Sequence, residues 1–94
     1  MAVKPKTCTA MFAAGATDAR LPAPQRRKLE RLAKMMAKHP RLARAIQERV
    51  LAAYEDDNGP VVGAPDWAAI WAWLVENLPA ILKVLMTILA LFGL

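Results

Sequence analysis

Disulfide chemistry is the first thing this sequence rules out. Cys8 is its one cysteine in 94 residues, and a single thiol cannot bridge within its own chain. Histidine is as scarce. His39 stands alone, so no pair of imidazoles can seed a metal site. Cys8 and His39 are thirty-one residues apart and fall in different segments, a poor arrangement for a nucleophile and its base. The four glycines never cluster into a phosphate-cradling loop. Asp56-Asp57-Asn58-Gly59 has the flavour of a calcium loop, yet the alternating spacing and closing glutamate are missing. These absences leave no catalytic centre, no cofactor and no metal to expect. Aromatic residues make up 6% of the chain, and three of them are Trp67, Trp71 and Trp73.

Hydrophobicity is what the chain has in excess. Residues 67–94 (WAAIWAWLVENLPAILKVLMTILALFGL) are apolar except for Glu76, Asn77, Lys83 and Thr87, with Pro79 and Gly93 as backbone irregularities. One continuous helix of that length would be roughly 40 Å long, enough to cross a hydrocarbon core of about 30 Å with tilt. Trp67, Trp71, Leu74, Leu78, Ile81, Leu85, Ile88 and Phe92 form an unbroken heptad seam. The opposite face carries Ala69, Trp73, Glu76, Ala80, Lys83, Thr87 and Ala90. Small residues and charges in lipid face neighbouring helices. The expectation is therefore a transmembrane helix with its seam toward lipid and Glu76 and Lys83 pairing at a helix–helix contact. Trp67, Trp71 and Trp73 would sit in the membrane interface. Pro79, which removes one helical hydrogen bond, would kink the helix near residues 73–75. A protein-buried zipper is the alternative use of the same seam, and a helix lying flat in the interface is another.

Ahead of this stretch the chain divides into three. Residues 1–24 are punctuated by Pro5, Gly15, Pro22 and Pro24 and read as an irregular arm. Their weak apolar core, residues 10–16, holds no Leu, Ile or Val, so a cleaved signal peptide is not expected. Cys8 in such an arm would be a small, mobile residue. Residues 25–54 read as two basic amphipathic helices, a hairpin or kinked helix, broken at His39-Pro40 because the residue before proline avoids the helical region. Leu29, Leu32, Ala33 and Met36 share one face of the first, opposite Arg27, Arg31, Lys34 and Lys38. Leu42, Ile46, Val50 and Ala53 form the stripe of the second. Residues 55–66 (EDDNGPVVGAPD) read as an acidic Gly/Pro linker, with Asp66 as N-cap of the helix that follows. The three acidic residues 55–57 oppose the macrodipole of a helix end and predict that the second helix stops near Tyr54.

Charge is concentrated in residues 26–49. Nine Lys or Arg stand there against Glu30 and Glu48, a local balance of +7 against +5 for the whole chain. Arg27, Arg31, Lys34, Lys38, Arg41 and Arg44 are the candidate contacts to phosphate, in nucleic acid or anionic lipid. No aromatic interleaves them, so base stacking is not expected and nucleic acid would be held without sequence specificity. A solvated face that keeps a small protein in solution is the plainer use.

The fold class predicted is all-α: two short amphipathic basic helices plus one long C-terminal hydrophobic, transmembrane helix, with no compact independent core. Stability would then come from membrane lipid, homo-oligomerisation or a larger assembly. The functional expectation is a small non-enzymatic structural membrane protein, such as a minor membrane protein of a phage or virus particle. Its N-terminal head would lie on the cytoplasmic side of a bacterial inner membrane or inside a virion membrane. The layout is similar to small single-span phage membrane proteins in length and order alone, and no motif assigns a family. Two alternatives stand: an oligomeric pore former of holin or toxin type, and a helical subunit buried in a larger protein assembly.

Overall fold

The computed structural model describes residues 5–94. Five helices follow one another: α1 (Cys8–Gly15), α2 (Ala23–Lys38), α3 (Pro40–Asn58), α4 (Trp67–Glu76) and α5 (Leu78–Leu91). The all-helical class is as predicted. The long helix and the missing core are not.

The apolar stretch breaks at Asn77, and α4 and α5 meet at 106°. Asn77 leaves the helical region (φ −116°, ψ 13°), and its side chain donates to the Trp73 carbonyl at 3.0 Å. Pro79 then falls in the first turn of α5, where its missing N–H costs nothing. The proline effect anticipated at residues 73–75 appears here as a full corner. Among the described residues, no single helix is long and apolar enough to cross a membrane. The α4–α5 pair passes by length and composition only, as a bent pair.

The corner turns one apolar face of each of the two helices inward. Trp67, Ile70 and Leu74 of α4 and Leu78, Leu82, Leu85 and Leu89 of α5 are buried together with Leu29, Leu32, Met36, Leu42, Ile46 and Val50 of the basic helices. Every buried leucine of α4 and α5 is no more than 2% exposed. Each contributes about 1.5–3 kcal/mol by leaving water. Helices α2, α3 and α5 contact one another pairwise, and α1 packs on α2, α3 and α4. The radius of gyration, 12.4 Å, is what a folded domain of this length should have, about 12 Å. A compact core therefore exists. Of the predicted seam, Trp67, Leu74, Leu78 and Leu85 are buried, Trp71, Ile81 and Ile88 are half-buried and Phe92 is exposed, while the small, charged face of α5 (Ala80, Lys83, Thr87, Ala90) is exposed.

The N-terminal arm holds a helix. Thr7 caps α1 by accepting the Ala10 N–H at 3.0 Å. Cys8, Met11, Phe12 and Gly15 are buried at i, i+3, i+4 and i+7, which is one helical face. Residues 1–4 of the arm, Lys4 among them, lie outside the described residues. The linker is shorter than predicted because α3 continues to Asn58. Its acidic end is compensated. Glu55 accepts the Val61 N–H at 3.1 Å, Asp57 accepts the Trp73 indole N–H at 2.7 Å, and Gly59 (φ 90°) ends the helix by donating to the Glu55 carbonyl. Asp66 caps α4 as predicted, accepting from Ala68 and Ala69.

Cys8 is thus a core residue and not a mobile one. Burial pushes its thiol from 9.0 up to about 12. The native state then holds a proton that the unfolded chain releases above about pH 9, so the Cys8 contribution is complete below pH 9 and is lost as pH rises toward 12. The full chain should lose more stability between pH 8 and pH 10.5 than Cys8→Ala does, as measured by urea unfolding. Equal losses would contradict this placement.

Candidate phosphate-binding face

Helix α2 turns two surfaces outward from one sequence pattern. Its buried stripe faces the core, and Arg27, Arg31, Lys34 and Lys38 lie exposed on the opposite side, as the helical spacing requires. On α3, Arg41 and Arg44 are exposed as well. His39 joins the two helices in an extended conformation (φ −128°, ψ 93°), with Pro40 opening α3. All six predicted phosphate contacts are therefore free of the core, on two consecutive helices.

Their electrostatic pairing is sparse. Lys34 meets Glu30 at 2.9 Å and Arg44 meets Glu48 at 3.8 Å, both exposed i,i+4 pairs. Such pairs are worth only a few tenths of a kcal/mol and exchange readily for a phosphate. Arg27, Arg31, Lys38 and Arg41 make no ion pair among the described residues. The acidic residues are mostly engaged elsewhere. Asp18 is gripped by Arg20 at 2.7 Å, and that hydrogen-bonded guanidinium holds its carboxyl down to about 2. Glu55, Asp57 and Asp66 accept backbone or indole N–H groups. The cations stay available because the carboxylates have other work.

The predicted membrane-interface tryptophans have packing roles. Trp67 is buried. Trp71 packs closely against Gly15 of α1. A Cβ at Gly15 would sit 2.7 Å from Trp71 Cζ2 and closer still to Cη2. Trp73 stacks edge-on against Tyr54, with centroids 5.5 Å apart at 88°, while its indole N–H holds Asp57. Trp71 and Trp73 thus fasten α4 to α1 and α3. Glu76 and Lys83, predicted to pair, lie exposed on either side of the corner and form no ion pair among the described residues. Sequence reading missed Gly15 as a contact residue. Its signal was the Cys-x-x-Met-Phe-x-x-Gly spacing, which only Met and Phe mark as apolar.

No protein-family model matches this chain, and neither a curated protein nor a solved structure does.

The Gly15–Trp71 contact leaves no room for a methyl group. Gly15→Ala should destabilise the chain by about 1–3 kcal/mol, read from the midpoint of urea unfolding. A neutral or stabilising effect, as expected from helix propensity alone, would show that α1 and α4 are not in this contact.

Proposed function

We propose that this is a small, non-enzymatic helical protein that binds the phosphates of a polyanion, nucleic acid backbone or anionic lipid headgroups, through the outward cations of α2 and α3. The observation that carries the reading is the exposure of Arg27, Arg31, Lys38 and Arg41, which make no ion pair among the described residues. Phosphate contact by side chains on helix exteriors reads charge and not base sequence. The buried, protonated Cys8 and its separation from His39 support a non-enzymatic role, since the thiolate is the reactive form.

A second reading keeps the membrane anchor. The α4–α5 pair has the length and composition of a bent span. Insertion would straighten a 106° corner and strip Leu74, Leu78, Leu82 and Leu85 from the core of the basic head. A holin- or toxin-type pore requires the same opening. The same seven core positions of α4 and α5 would serve a helical subunit of a larger assembly without any such cost. We therefore rank the folded bundle acting at a polyanionic surface above the integral membrane protein. Extraction with alkaline carbonate separates the two, because a bundle bound by charge is released and a spanning helix is retained.

Binding of the full chain to duplex DNA should weaken steeply with salt, with a slope near that of about four released counterions. Replacing Arg27, Arg31, Lys34 and Lys38 by Glu should abolish that binding and leave the thermal unfolding midpoint within a few degrees of the parent. Unchanged affinity would reduce the face to a solubility feature.

A further inference from the structure

The outer face of α5 is short of polar groups. Its exposed residues include Ala80, Lys83, Val84, Thr87, Leu91 and Phe92, and the Thr87 hydroxyl is turned back to donate to the Lys83 carbonyl at 3.0 Å. Leu91 is 81% exposed and Phe92 43%. Isolated exposed apolar residues are ordinary on any protein. This pair is held outward by the backbone. Leu94 N–H donates to the Leu89 carbonyl and Gly93 N–H to the Ala90 carbonyl, with Gly93 at φ 75°. Those two bonds form a Schellman cap. Leu94 folds back onto the core, and the turn leaves Leu91 and Phe92 at the surface.

Helix α3 supplies the charge beside them. His39, Arg41 and Leu42 share one open cleft with Phe92, and Arg49 shares a smaller one with Ile81 and Val84. Position 41 opposes 92 and position 49 opposes 84, so α3 and α5 run antiparallel. Arg41 and Arg49 are exposed and make no ion pair among the described residues. The result is two cations alongside a row of apolar side chains, both spread over about 12 Å of helix. The four cations of α2 are not part of this surface.

We propose that the outer face of the α3–α5 pair is a docking surface for a bilayer carrying anionic phospholipid. Leu91 and Phe92 enter the boundary between headgroups and acyl chains, while Arg41, Arg49 and Lys83 meet the phosphates. Charge complementarity selects this occupant. A second copy of the chain would set the same cations against one another across a two-fold axis. Nucleic acid would use the arginines and leave Leu91 and Phe92 in water. The bundle stays folded and no helix crosses the bilayer.

The test uses the full chain, with vesicles of phosphatidylcholine alone or with phosphatidylglycerol, and cosedimentation as the readout. The parent chain should bind the mixed vesicles and not the neutral ones. Leu91→Asp with Phe92→Asp should weaken that binding about tenfold or more and leave duplex DNA affinity unchanged to within a small electrostatic loss. If the double variant is less stable, Leu91→Ser alone, at the more exposed position, should still weaken vesicle binding severalfold. Vesicle binding unchanged in both variants overturns the proposal. A parent chain that binds DNA and not mixed vesicles also overturns it, and leaves the polyanion reading standing. A parent chain that binds neither sinks both. A lipid-free dimer that becomes monomeric on Leu91→Asp assigns the face to a second copy and overturns the proposal as well.

Discussion

The corner at Asn77 decides what the rest of the molecule is. Without it, residues 67–94 are one apolar rod with nowhere to go but lipid. With it, two short helices fold onto α2 and α3 and supply seven of the buried residues of the core. The basic helices could not make that core alone. Their own buried positions number four in α2 and three in α3, too few for a stable domain. The apolar excess of the C-terminal third and the apolar shortage of the middle third are two halves of one solution.

The cationic face follows from the same arrangement. Once the stripe of α2 is committed to Leu78, Leu82 and Leu85 across the core, Arg27, Arg31, Lys34 and Lys38 have no direction left but water. Glu55 and Asp57 are held at the other end of α3 and Asp66 at the start of α4, where Val61, Trp73 and α4 use them. Separation of the two signs is thus a consequence of where the caps and corners fall. The phosphate-binding role proposed for this face draws on a charge distribution that the core imposes.

Much of this was legible in the sequence and some was not, for physical reasons. The helical class, the break at His39-Pro40, the stripes of α2 and α3, the exposed cations and the Asp66 cap all follow from local rules of periodicity and capping. The heptad seam was legible too, but its partner was not, because a greasy face looks the same toward lipid and toward Leu29 or Ile46. Pro79 signalled a disturbance. A proline at the second position of a new helix and one inside a kinked helix share a sequence, and only the energy of folding back chooses between them. Helix α1 was hidden because it is short and carries small apolar residues on every side, so no amphipathic stripe marks its buried face. The end of α3 was misplaced because Asp57 finds Trp73 sixteen residues away, a contact that no local signal reports.

The central claim is that the C-terminal leucines are the core of the basic head. Amide hydrogen exchange on the full chain in detergent-free buffer tests it most directly, comparing the parent with Leu85→Asp. A charge at a position fully removed from water in the native fold costs several kcal/mol, against about 5–14 kcal/mol of total stability for a chain of this length. The account predicts that protection collapses in α2 and α3 as well as in α5. Protection in α2 and α3 that survives unchanged would mean that the two thirds of the molecule do not share a core.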